Sequence, residues 1–185
     1  MVHRAGWGKS SISRSERMAS TDRIAHEREA CMVHYPVIDC SAVPSVPDGL
    51  RILPRDWQLP GRIRDTIRWH PLRADLFQTA LQREGIPVSG QYLLGELQDE
   101  PVLPASVLDA FLATGFEGVP ATWKPMREPR PIICFYGTIY ASRETQEGMD
   151  AGVRCITWRR ARWEEEYRPL SEPFGQDMFA ATWFG

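Results

Sequence analysis

The sequence predicts an α+β protein: one compact domain in which N-terminal and central helices pack on a mainly antiparallel sheet that contains a C-terminal hairpin. Three observations lead to this fold class. Apolar residues recur at helical spacing in the middle of the chain, two β-branched and aromatic runs occupy the last third, and turn-forming residues separate these segments. With 185 residues, of which 43% are apolar and 25% charged, the chain is long enough to bury one core.

The first 30 residues predict a polar, partly helical N-terminal extension, and residues 31–185 predict the α+β domain. The extension mixes both charges and has only a weak apolar stripe. The segment VHYPVID (33–39) predicts a short edge strand, because Pro36 cannot donate a hydrogen bond within a sheet. The proline-rich segment 41–61 predicts a loop that wraps the domain.

Three central helices are expected from spacing and end signals. Ile63 and Ile67 share a face of the segment 60–69, and a second apolar stripe runs through the segment 71–85 to Gly85. A third helix is predicted from about residue 104 to Gly115. Ser106 and Asp109 have the spacing of a capping box at its start.

The last third of the sequence predicts the hairpin. The segment 131–142, PIICFYGTIYAS, has the composition of a buried strand, and the segment 153–163, VRCITWRRARW, is a second strand. The intervening loop favours antiparallel pairing of the two. The apolar end FAATWFG is expected to dock on the core or on a partner.

Charge and cysteine spacing argue against several classes of function. The net charge of −2 gives no overall attraction to nucleic acid or to an anionic membrane, and the sequence has no apolar run long enough to span a bilayer. Cys31, Cys40, Cys134 and Cys155 form no C-x-x-C pair, so we expect no metal site and no redox motif. The four cysteines are expected to be reduced thiols, and the location is expected to be cytoplasmic.

The segment GWGKSS (6–11) ends like a phosphate-binding loop but does not meet the requirements of one. Such a loop follows G-x-x-x-x-G-K-[ST] and is preceded by a buried strand. His3 stands where the first glycine belongs, and only two residues precede it. We therefore expect no nucleotide and no other cofactor.

A thiol nucleophile is also disfavoured. His34, Asp39 and Cys40 are residue types that could form one, but an extended chain holds His34 and Cys40 roughly 20 Å apart. His70 stands before Pro71 at a junction, where we interpret it as structural. No catalytic residue is predicted.

The segment ITWRRARWEEEYRP, which begins at Ile156, is the most informative. Its candidate binding residues are Trp158, Arg160, Arg162 and Trp163. Aromatic rings interleaved with arginines suit a platform for single-stranded nucleic acid and equally suit a protein-binding hot spot. Alternation along one continuous strand would place Trp158, Arg160 and Arg162 on the same face. Solvated arginines that pair with the glutamates that follow are the third interpretation.

The sequence therefore favours a non-enzymatic binding or accessory protein that acts through protein–protein contacts. Small accessory proteins of mobile genetic elements often have this combination of features. A nucleic-acid-binding module that uses the Arg/Trp-rich strand 153–168 is the alternative, and an enzyme whose site is not visible in the sequence is the second alternative. A protein is the favoured partner, nucleic acid is the other candidate, no membrane association is expected, and a homo-oligomer is compatible with the sequence.

Overall fold

A computed structural model describes residues 35–124, 131–145 and 150–184. The segment Tyr35–Gly185 forms one compact unit. The predicted N-terminal helix, GWGKSS and the predicted boundary at residue 30 lie outside the described residues. The described residues form a sheet-rich fold with few helices. This confirms the predicted α+β class in outline.

The described residues contain eleven strands and three α-helices, together with three short 3₁₀ turns. The strands are β1 (Val37–Asp39), β2 (Leu50–Ile52), β3 (Thr66–Arg68), β4 (Ala74–Phe77), β5 (Val88–Ser89), β6 (Ile132–Cys134), β7 (Tyr140–Ser142), β8 (Ala151–Arg159), β9 (Arg162–Pro169), β10 (Pro173–Phe174) and β11 (Met178–Trp183). The helices are α1 (Ala80–Arg83), α2 (Gly90–Glu96) and α3 (Ala105–Ala113). The 3₁₀ turns are Arg55–Trp57, Pro71–Arg73 and Ala121–Trp123.

Seven strands form the main sheet. Its order is β2-β7-β8-β6-β11-β4, and β9 pairs with β8 off this path. The β6–β11 pair is parallel and the other strand pairs of this sheet are antiparallel, so the sheet is mixed. The strands β1 and β3 form a separate two-stranded sheet, as do β5 and β10. The tail predicted to dock is thus a central strand, β11.

Two apolar clusters contain residues from opposite faces of the main sheet. One includes Cys134 and Val153 together with Leu93 of α2. The other includes Ile133 and Ile156 together with Phe111 of α3. Alternation of side chains along β6 explains why Ile133 and Cys134 belong to different clusters.

Two of the three predicted central helices are wrong. Residues 66–68 form β3, where Ile67 is buried between exposed neighbours, a strand pattern. Residues 71–85 form a 3₁₀ turn, β4 and the four-residue α1. Pairing of β3 with β1 and of β4 with β11 supplies backbone hydrogen bonds from distant segments, which override the local helical spacing.

The third predicted helix is confirmed as α3, but its predicted capping box is wrong. No side chain of the helix start caps it; instead the amide of Ala105 donates to Thr138 Oγ1 at 3.1 Å. Asp109 is instead bonded to residues outside the helix. Gly115, just past its end, has φ +62°, which fits its predicted role as a stop.

The predicted long strands of the last third are also shorter than expected. Residues 131–142 hold two strands, β6 and β7, both of which pair with β8. Gly137 lies between them against the backbone of Leu103 and Pro104, where a Cβ would have no room. The predicted strand 153–163 ends at Arg159, turns, and returns as β9.

The expectation of four reduced thiols is wrong for one pair. Cys134 and Cys155 are direct partners in the antiparallel β6–β8 register and form a disulfide, with their Cα atoms 4.1 Å apart. Both are buried. Cys40 is a buried free thiol. The sheet register, which sequence spacing does not reveal, explains the pairing.

Candidate functional site

The predicted binding residues lie at the tip of the β8–β9 hairpin. We call the whole hairpin the arm. Arg159 and Arg162 are partners across a two-residue turn formed by Arg160 and Ala161. Both turn residues have positive φ, 48° and 63°, as a tight type I′ hairpin turn requires. The chain therefore reverses direction within the segment 153–163, which the sequence predicted to be one strand.

This turn changes which side chains share a face. Trp158 and Trp163 are cross-strand partners, and their rings meet edge to face with centroids 5.2 Å apart. Arg159 and Arg162 are the next pair along the ladder and so point to the other face. The predicted face of Trp158, Arg160 and Arg162 is wrong, because it assumed a strand that continues through residue 160.

Most arginines of the arm are paired with glutamates. Arg159 Nη2 lies 3.1 Å from Glu166 Oε2, and Arg162 Nε lies 2.9 Å from Glu164 Oε1. Arg160 differs: no carboxylate of the described residues lies within 4.0 Å of it. Arg159 and Arg162 are 48% and 70% exposed, so their ion pairs are open to solvent.

The aromatic pair of the arm faces the protein. Trp163 is 7% exposed, and Trp158 is partly buried against the same apolar cluster. The ammonium of Lys124 lies 5.1 Å from the centre of a Trp158 ring, a cation–π contact. The indole Nε1 of Trp163 is buried and has no hydrogen-bond partner, which is unusual for a buried tryptophan.

At the base of the arm, Arg154 forms a buried ion network that the sequence did not reveal. Its side chain is 2% exposed. Its Nη1 donates to Asp109 Oδ1 of α3 at 2.7 Å, and its Nε donates to Glu165 Oε1 of β9. Its Nη1 also lies 3.2 Å from the carbonyl oxygen of Ser45. The network joins β8, β9, α3 and the loop after β1.

The environment keeps this guanidinium charged. Burial alone would lower the pKa of Arg154, but hydrogen bonds with Glu165, Tyr140 and Asp109 outweigh it and raise that pKa. Asp109 also accepts from the amide of Ser45 at 2.7 Å and from its hydroxyl at 2.6 Å. The network therefore anchors these segments to one another, and we interpret its role as structural rather than catalytic.

No family model matches this chain, and no curated protein or solved structure is significantly similar to it. The functional argument therefore rests on the chain itself. No helix in the part of the chain that the structure describes is long and apolar enough to cross a membrane. Nor do three His, Cys, Asp or Glu side chains of those residues come together as a metal site.

The other residues considered in the sequence have structural surroundings. His70 Nδ1 accepts the amide of Leu72 at 3.2 Å, so the predicted junction role is confirmed. The carboxylate of Asp39 accepts hydrogen bonds from the hydroxyl and the amide of Ser41, and these hydrogen bonds lower its pKa. Burial raises the pKa of the Cys40 thiol to about 11, which keeps it protonated at neutral pH. His34 lies outside the described residues.

Proposed function

We propose that this chain is a non-enzymatic binding protein that contacts another protein through the tip of the arm, with Arg160 and Arg162 as the contacting residues of the predicted binding set and Trp158 and Trp163 supporting the hairpin beneath them. The observation that carries the proposal is the turn: three exposed arginines lie within four residues of one hairpin. The hairpin backbone is fixed by its own ladder, so little entropy is lost on binding. Arginine is also one of the residue types that dominate protein-binding energies.

The charges of the tip favour an acidic surface on the partner protein. Arg160 has no carboxylate partner among the described residues. The exposed ion pairs of Arg159 and Arg162 contribute little to stability, so these guanidinium groups exchange partners at small cost. Complementary charge would speed the encounter and select the partner.

The same observations weigh against a nucleic-acid platform, which remains the second candidate. Stacking of bases needs exposed rings, whereas Trp163 is 7% exposed and Trp158 is packed against it beneath Lys124. Glu164 and Glu166 share the face of Arg159 and Arg162 and would repel a phosphate backbone.

The experiment is capture with the immobilised full chain from a nuclease-treated extract of the native host, followed by quantitative mass spectrometry. Arg160→Ala should reduce recovery of the specific partner about fivefold or more, because it removes an unpaired charge at the centre of the tip. Arg159→Ala should have a smaller effect, since Arg159 is already paired with Glu166.

Arg73→Ala is the matched control, because Arg73 is an exposed arginine far along the chain from the arm. It should leave recovery unchanged. Equal recovery with Arg160→Ala and wild type, or capture that disappears on nuclease treatment, would contradict the protein-binding proposal.

A further inference from the structure

A second group of arginines lines a cavity of about 370 Å³. Arg55, Arg62 and Arg64 contribute the charges, and Leu53 and Gln58 form a buried floor. We call this cavity the arginine pocket. Its volume lies in the range of small-molecule sites.

The floor of the arginine pocket is held in place by Gln58. The amide nitrogen of this side chain donates to the carbonyl oxygen of Leu53 at 2.8 Å. Its amide oxygen accepts the backbone N–H of Ile139 at 2.9 Å. Gln58 is buried and makes both kinds of hydrogen bond, so the 3₁₀ turn beside it is tied to the residue before β7. The floor is thus preformed.

The backbone that carries Arg62 is fixed on both sides. The amide of Gly61 donates to Gln98 at 3.2 Å, and the amide of Ile63 donates to Val102 at 3.1 Å. Gly61 packs so closely on the carbonyl of Glu100 that a Cβ would overlap it. Glycine is required there by close approach rather than by its backbone angles. Arg62 therefore projects from a rigid segment.

The charges of the arginine pocket are uncompensated within the described residues. No carboxylate of those residues lies within 4.0 Å of Arg55, Arg62 or Arg64. Arg62 Nε is buried and has no hydrogen-bond partner, and its Nη2 makes one long bond of 3.4 Å to the carbonyl oxygen of Cys40. Burial and the nearby charge of Arg64 both lower the pKa of Arg62. A buried donor without an acceptor and a like charge beside it are costly unless an anion compensates them.

The carboxylate of Asp39, two residues before the cavity-lining Ser41, is already hydrogen-bonded. Asp39 accepts the amide of Ser41 at 2.9 Å and its hydroxyl at 2.6 Å. Its carboxylate is not within ion-pair distance of the three arginines. Ser41 lines the same cavity as the arginines. A bound anion would supply the acceptor that the buried Arg62 Nε lacks.

We propose that the arginine pocket binds the phosphate group of a small phosphate monoester, with Arg62 and Arg64 contacting its oxygens and Arg55 at the rim. Guanidinium groups donate in a planar fork that matches phosphate geometry. A phosphate monoester carries nearly two negative charges at neutral pH, which suits three arginines better than a single carboxylate does. The apolar floor at Leu53 leaves room for a compact organic group next to the phosphate.

The experiment is isothermal titration of the full chain with inorganic phosphate, phenyl phosphate and acetate at constant ionic strength. Both phosphates should bind saturably at one site, and acetate should bind much more weakly. Arg62→Met should weaken phosphate binding about tenfold or more, because it removes a charged hydrogen-bond donor. Arg64→Ala should weaken it several-fold, and since Arg64 is exposed this variant is expected to fold.

Arg73→Ala is the matched control: it removes the same charge from an exposed arginine that does not line the cavity. It should leave the phosphate affinity within about twofold of wild type. Three results would overturn the proposal: no saturable phosphate binding, equal losses in Arg64→Ala and Arg73→Ala, or acetate binding as tightly as phosphate. Single-stranded oligonucleotide binding that is lost in Arg64→Ala, without binding of phenyl phosphate, would overturn the small-molecule assignment.

Discussion

The arginines of the arm and those of the arginine pocket differ in what surrounds them. On the arm, Arg159 and Arg162 each lie within 3.1 Å of a glutamate oxygen. In the pocket, Arg62 and Arg64 have no carboxylate within 4.0 Å among the described residues, and Arg62 Nε has no partner at all. The same residue type is therefore compensated in one region and left uncompensated in the other.

This contrast shows why a count of arginines is a poor guide to function. The sequence predicts a binding site on the arm because its arginines lie close together in the chain. In the structure, glutamates of β9 form ion pairs with most of these arginines. The arginines of the pocket are dispersed over residues 55–64 and come together only through the turns around Gln58 and Gly61. Unsatisfied charge, rather than clustered charge, is what indicates a binding site.

The largest expected effect concerns Arg154, the fully buried member of the compensated group. Arg154→Met should lower the free energy of unfolding by about 3 kcal/mol, because Asp109 and Glu165 would lose the charge that they share. Urea unfolding followed by fluorescence measures this. Arg162→Met, which breaks an exposed pair, should cost less than about 1 kcal/mol. Similar losses of unfolding free energy in the two variants would contradict the distinction between buried and exposed ion pairs.

A smaller effect concerns Cys40, whose carbonyl oxygen accepts from Arg62. Burial and then Asp39 raise the pKa of its thiol from 9.0 to about 11, while Arg62 lowers it. The folded state thus favours the protonated thiol, so this contribution to stability is complete below about pH 9 and is lost as the pH rises towards about 11. In Arg62→Met the folded-state pKa should be higher still, so the loss should begin at the same pH but continue to higher pH. In Cys40→Ala the corresponding slope in unfolding free energy should vanish.

Thiol counting checks the surroundings of Cys40 and the disulfide together. In a Cys31→Ser background, Ellman's reagent should detect no fast-reacting thiol in the native protein, since Cys40 is fully buried. After unfolding without reductant it should detect one thiol, because Cys134 and Cys155 are bonded to each other. Three reactive thiols after unfolding would show that this disulfide does not form.

The parts of the fold that the sequence predicted depend on local signals. The helix α3 has a continuous apolar stripe through Phe111 and a glycine stop at Gly115, and both are visible without any tertiary information. Buried aromatic and β-branched residues in 131–142 were likewise predicted, as was the antiparallel pairing with the next strand.

The parts that were missed depend on distant partners or on unusual residues. The arm turn is formed by Arg160 and Ala161 rather than by the asparagine and glycine that signal a type I′ turn, so nothing in the sequence marks it. Arg154 lies within an apolar strand, and its partner Asp109 is 45 residues away. Of the candidate sites, the sequence identified the arm and missed the arginine pocket, whose residues become neighbours only after β2 and the segment before β3 have been placed.

The most direct test of the contrast is the unfolding free energy of Arg62→Met measured with and without phosphate. In phosphate-free buffer we expect this variant to be at least as stable as wild type, by up to about 1 kcal/mol, because it removes a buried unpaired donor and a repulsion with Arg64. At a phosphate concentration about ten times the wild-type dissociation constant, wild type should gain roughly 1.4 kcal/mol and the variant about 0.4 kcal/mol or less. A variant that is clearly less stable without phosphate, and that gains as much from phosphate as wild type does, would contradict the account.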